Sequence, residues 1–184
     1  MRFLQFVPYD PSVQIRGNAI LTFAELLELH RPDAVEILDK YELGKPRPEE
    51  WYPQKTWLDA IKEVSERIGP TSLYIMGAKT YDLVNWPPEA NDLQGTLMTI
   101  NKQHQMNHRN GESGNWHLAI FDSEGHHAKI TSDTPYPCDF ERGVIMSIVM
   151  HFNRENLRNL WVVHENPYSC RNRGTDSCTY LIRW

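Results

Sequence analysis

Apolar positions follow one period in the first half of the chain and another in the second. In the first half they recur at helical spacing. Ile20, Phe23, Leu26 and Leu27 set a helix over residues 19–29, and Asp33 opens a second through Val35, Ile37 and Leu38. A Pro- and Glu-rich break at 44–52 follows. The clearest helix presents Trp57, Ile61, Val64 and Ile68 at i, i+4, i+7 and i+11, then stops at Gly69-Pro70, a common C-terminal signal. Residues 71–84 read as another helix, broken by Trp86-Pro87-Pro88. The last helix of this half covers 89–108, with Leu93, Leu97, Ile100 and His104 on one face.

Beyond Arg109 the period shortens to two. Trp116, Leu118 and Ile120 alternate with His117, Ala119 and Phe121, Ser123-Glu124-Gly125 supplies a turn, and 127–131 form the returning strand. Residues 138–152 read as an amphipathic helix burying Phe140, Val144, Ile148 and Phe152. Two more strands, 160–164 and 179–184, flank a polar loop. This order predicts an α+β fold, a helical N-terminal half packed on an antiparallel sheet with one long helix in the C-terminal half. With no internal repeat, residues 1–184 read as one domain. Its end inside the last strand suits a minimal stand-alone domain or the amino-terminal piece of a longer protein.

Composition narrows the function. Among 184 residues, 40% are hydrophobic and 23% charged, enough for a packed core. Nineteen basic against 24 acidic residues give a net charge of -5, and no Lys/Arg cluster offers a nucleic-acid footprint. The longest near-apolar run, 143–150, is far short of the ~20 residues that span a bilayer, and no secretory signal follows Met1-Arg2. Three cysteines suit a reducing cytoplasm, the expected location. G-x-S-x-G, H-E-x-x-H, Walker and dinucleotide-binding motifs are all missing, so a non-enzymatic role is expected.

The cysteines are the most specific feature. Cys170 and Cys178 bracket seven residues including Gly174, and Cys138 begins the long second-half helix, where the dipole stabilises a thiolate. Three thiolates with one further ligand complete a tetrahedral zinc site, and His164 and Glu165 are the nearest candidates for the fourth. Three inert core cysteines are the alternative.

The run Tyr136-Pro137-Cys138-Asp139-Phe140-Glu141-Arg142-Gly143, followed by Cys170-Arg171-Asn172-Arg173-Gly174-Thr175-Asp176-Ser177-Cys178-Thr179-Tyr180-Leu181-Ile182, resembles the 4-vinyl-reductase-type domain. Trp51-Tyr52-Pro53 and the Ile68-Gly69 to Met76-Gly77 segment resemble its helical half. That family belongs with the ligand-binding domains of NO signalling and Golgi transport, which include haem–NO-binding domains and vesicle-tethering subunits. The resemblance implies a small-molecule sensor or adaptor with a downstream regulatory domain or protein, and, as in phenol-responsive bacterial regulators, zinc held by cysteines and a glutamate. Cys170 and Cys178 match the late cysteine ligands, with Cys138 as the third. The family's glutamate position is Pro167 here, so His164 or Glu165 must substitute.

Further residues point to a ligand. Trp116 and Trp161, on two strands, are expected to wall a pocket for a hydrophobic or aromatic small molecule, with His104 and His117 beside it. His104 and His108, four apart, share a helix face. His104 resembles the proximal histidine of haem–NO-binding domains in place. Their Tyr-x-Ser-x-Arg, which holds the haem propionates, reads Tyr136-Pro137-Cys138-Asp139-Phe140 here, without the Arg. A haem-based gas sensor is therefore kept as an alternative, beside a tetrapyrrole-related vinyl reductase. Phe23, Leu26, Trp57 and Tyr74 are among more large apolar groups than one thin sheet layer covers, so a homodimer is expected.

Overall fold

A computed structural model of the chain describes residues 5–30, 32–155 and 157–184. Met1-Arg2 and the Asp33 side chain lie outside the described residues. Strand β1 (Gln14–Arg16) leads into α1 (Gly17–His30) and α2 (Pro32–Lys40). Strand β2 (Trp51–Pro53) leads into α3 (Gln54–Ile68), α4 (Pro70–Gly77), α5 (Thr80–Leu83) and α6 (Leu93–Met106). After β3 (His108–Arg109) come β4 (Trp116–Asp122), β5 (His127–Ser132), α7 (Cys138–Phe152), β6 (Trp161–His164) and β7 (Cys178–Arg183). The fold is α+β with antiparallel sheets, as the change of period predicts.

The larger sheet runs β4-β5-β7-β6, and Ser132 sits opposite both Trp116 and Cys178. Two apolar cores result. One joins α1 to α4, around Ile20, Leu38, Trp57, Leu58 and Ile61. The other packs α6 and α7 on the sheet, through Leu97, Ile130, Ile145, Ile148, Tyr180 and Ile182. Phe140 of α7 touches both.

Helix boundaries have local causes. Asp92 caps α6 by accepting from the Gly95 amide at 2.6 Å. Helix α3 ends at Gly69, whose φ of 109° is a backbone state that favours glycine. Its face of Trp57, Ile61 and Val64 is buried as the spacing requires.

The first half is mainly helical and the main sheet lies beyond it, with one addition: β1, β2 and β3 form a small antiparallel sheet in the order β2-β1-β3. Strands of two or three residues are too short to show a period. Residues 71–84 form two helices instead of one, since α4 stops at Gly77, where it presses against α7. The buried face of helix α7 is broader than expected: Cys138, Glu141, Gly143, Val144, Ile145, Ser147, Ile148 and Val149 are all buried, while Phe140 and Phe152 are half-buried. Of the four residues behind the expected homodimer, Phe23 and Trp57 are buried and Leu26 and Tyr74 half-buried within the chain. Among the described residues no helix is long and apolar enough to cross a membrane.

Candidate functional site

Between the two cores lies an apolar cavity of about 100 Å³. Helix α1 contributes Ala19, Thr22 and Phe23, α6 contributes Ile100, Gln103 and His104, and α7 contributes Phe140 and Val144. Trp86, His108, Trp116 and Tyr136 close the remaining sides. Phe23 and Phe140 meet edge to face at 5.1 Å and fill part of the space between the cores.

The cavity's histidines are held as neutral groups. His104 Nε2 lies 3.0 Å from the Ser113 carbonyl oxygen, to which it donates. His108 Nδ1 donates to the His104 carbonyl at 2.8 Å, so His108 Nε2 is left to accept from the Tyr136 hydroxyl at 2.7 Å. Burial depresses both imidazoles, His104 well below its ordinary value and His108 to about 4. The same burial pushes the Tyr136 phenol up.

Of the ligand-site residues the sequence suggests, Trp116 and His104 line this cavity. Trp161 and His117 do not. His117 alternates with Trp116 on β4 and faces out, while Trp161 is exposed on β6 under the Arg183 guanidinium. Both strands alternate their faces, and these two residues fall on the outer one.

A second cluster forms where α7 begins and β7 begins. Cys138 Sγ lies 3.3 Å from Cys178 Sγ, with all three cysteines buried and none in a disulfide. Cys138, His164 and Cys170 each offer a ligand atom within 4.8 Å of the others. His164 Nε2 is buried without a hydrogen-bond partner. The Gln5 side-chain amide donates to Cys138. Glu165 is absent from the group and pairs with Lys129 instead, one residue beyond the end of β6. The Cys138 thiol donates to Cys178, which lowers the Cys178 thiol below its ordinary value and raises Cys138 above it. The Arg171 amide and Nε reach Cys178 Sγ at 3.4 and 3.5 Å.

Beneath the thiols is a buried ion pair. Glu141 and Arg171 are both fully enclosed and bonded to one another. Glu141 also accepts from the hydroxyls of Ser132 (2.5 Å), Thr134 (2.6 Å) and Tyr180 (2.6 Å). Desolvation pushes its carboxyl up while Arg171 opposes the shift. Sequence reading missed this pair, although an acid one helical turn after Cys138 in an apolar helix was a visible signal. It also missed Gln103, Thr80 and the His108–Tyr136 bond, since neutral polar residues in a cavity wall leave no period.

No family profile and no curated protein matches the chain. Solved structures do. A point mutant of the H-NOX of T. tengcongensis superposes with a TM-score of 0.65 at 16% identity, over 92% of this chain and 97% of that one. The Fe(II) unliganded H-NOX protein from K. algicida gives 0.67 at 12% identity, over 92% and 96%. An H-NOX protein from S. oneidensis in the Fe(II)NO ligation state gives 0.63 at 13% identity, over 92% and 98%. At these identities the likeness is one of fold. It gives the 4-vinyl-reductase-type label no support.

Proposed function

We propose that this chain is a small-molecule sensor domain whose ligand occupies the cavity between the helical core and the sheet core. The observation that carries this reading is the shared wall: α7 lines the cavity with Phe140 and Val144 and begins at Cys138, in the cysteine cluster. An apolar cavity with few polar groups, built from both cores, is where a small ligand influences how the cores pack. The output goes to a downstream regulatory domain or protein, and the site works in the cytoplasm.

Zinc is the second part of the proposal. Cys138, Cys170 and Cys178 with His164 would make a three-sulfur, one-nitrogen set of the kind that closes a structural zinc site. Cys138 and Cys178 stand 3.3 Å apart, and Cys138, His164 and Cys170 lie within 4.8 Å of one another. The unpartnered His164 Nε2 supports the fit. These residues would hold zinc as a structural link between α7, β6 and the start of β7. Glu165 has no part in it.

A haem-based gas sensor is the reading that the H-NOX fold favours, and His104 stands on the cavity wall. The residues do not fit the group. Among the described residues the cavity wall contains no Lys or Arg to meet two propionates, and Phe140 occupies the place where the resemblance expects the Arg. Buried carboxylates left without a partner are strongly disfavoured. His104 Nε2 is held by Ser113, and about 100 Å³ is below even the ~150 Å³ cavity that admits benzene. Metal analysis, native mass spectrometry and haem titration of untagged protein test these readings together. One zinc per chain and no Soret band with added haem are expected. Stoichiometric haem uptake that His104→Ala abolishes would replace the proposal with the gas sensor. Bound tetrapyrrole or nicotinamide would instead favour the vinyl-reductase type.

A further inference from the structure

The apolar cavity has an anteroom. A second, more polar cavity of about 90 Å³ shares Ala19, Thr22, Val84, Gln103 and Asn107 with it, and its far side includes the exposed Asn85 and Met106. The shared residues form a partition between the apolar, inner chamber and the more polar, outer one. Two polar atoms of residues lining the inner chamber are buried without a partner, Gln103 Oε1 and Thr80 Oγ1. Thr80 is only 8% exposed. Their polar neighbours are already engaged: Thr22 Oγ1 donates to the Asn18 carbonyl at 2.9 Å, and Asn107 Nδ2 to the Gln103 carbonyl at 2.9 Å. An unmatched acceptor in an apolar wall costs about 1–3 kcal/mol until a donor arrives.

We propose that the two chambers are one binding site for a small neutral molecule with an apolar body and one hydroxyl donor. The body lies in the inner chamber against Trp116 and Phe140, and the hydroxyl donates to Gln103 Oε1 at the partition. This rests on the reading of the cavity as the ligand site and adds the chemistry it selects. Size requires the ligand to reach through the partition, because the inner chamber is smaller than the ~150 Å³ that holds benzene. Charge is selected against. Among the described residues the inner wall offers no cation, a carboxylate would face the Gln103 oxygen, and Arg16 at the outer chamber is already paired with Glu49 at 2.7 Å.

Three probes of equal heavy-atom count or nearly so decide it: 1-hexanol, its isomer 1-methoxypentane, which lacks a donor, and hexanoate. Binding to the full chain is followed by titration calorimetry, with tryptophan fluorescence reporting on Trp86 and Trp116. The alcohol should bind at least about tenfold tighter than the ether, and hexanoate weakest of all. Gln103→Leu should abolish the preference for the alcohol while leaving ether affinity unchanged, and the near-isosteric Gln103→Met should repeat the result if the leucine variant folds poorly. Equal binding of alcohol and ether, which includes the case of a water already satisfying Gln103, overturns the donor assignment and leaves the cavity as the ligand site. A preference that survives in both variants, or hexanoate binding tightest, overturns it as well. No binding of any probe removes the proposal and the cavity reading together.

Discussion

Gly77 and Gly143 meet where α4 crosses α7, each standing where a methyl group would strike the other helix's backbone. A Cβ on Gly77 would fall 2.1 Å from the Phe140 carbonyl oxygen, and one on Gly143 would fall 2.3 Å from that of Tyr74. Backbone cannot yield as a flexible side chain does. Gly77→Ala and Gly143→Ala should each destabilise the protein by about 2–3 kcal/mol in urea unfolding, the upper range for overpacking. The double variant should lose less than the sum, since one separation of the helices accommodates both methyl groups. Full stability in either single variant contradicts this account of the crossing.

The buried imidazoles make stability sensitive to mild acid. His104 and His108 stay neutral when folded but accept a proton near pH 6.5 when unfolded. Folded pKa values below the unfolded ones mean full stability above pH 6.5 and a loss as pH falls toward 4. At pH 5.5 the loss is about 1.4 kcal/mol for each histidine. Thermal unfolding between pH 8 and 5 checks this, and His108→Gln should flatten the dependence by about half. A melting temperature constant from pH 7 to 5 contradicts it.

Removing one member of the enclosed ion pair strands the other. Glu141→Leu should cost about 3–5 kcal/mol because Arg171 is left buried without its partner. Adding Arg171→Met should restore much of the loss, since well-packed apolar pairs often match a buried ion pair. Denaturant unfolding of the two single variants and the double variant measures both effects.

The metal reading separates His164 from its neighbour. His164→Ala and Cys170→Ser should lower the zinc content and the melting temperature, whereas Glu165→Ala should leave the zinc content unchanged. A strong chelator should destabilise the native chain and have little effect on Cys170→Ser. If zinc content is zero in the native chain, the three sulfurs are core cysteines.

The strands β4 to β7 and the helices α3, α6 and α7 were legible because each is long enough to complete its period. Trp57, Ile61 and Val64 buried as their spacing demands, and the convergence of Cys138 with Cys178 followed from two residues that each begin an element. Faces were less legible than elements. Trp161 and His117 pointed outward because alternation fixes that two residues differ in face, not which face is inner. Glu165, one step beyond His164, pairs with Lys129 instead. Gln103 was invisible, since its importance lies in a missing partner, and only packing in three dimensions reveals that.

From His127 to Val149 no residue is fully exposed, and before Met150 helix α7 meets solvent mainly along the half-exposed stripe of Asp139, Arg142 and Met146. A surface helix can drift in sequence on its wet face while its dry face is preserved. This one has only that narrow stripe on which to drift before Met150. Cys138 answers to the thiols, Phe140 to the cavity, Glu141 to Arg171 and Gly143 to α4, within two turns of a stiff rod roughly 22 Å long. Homologues should therefore change these positions in concert, and grafting a new cavity into the fold will require redesigning the cysteine end along with it.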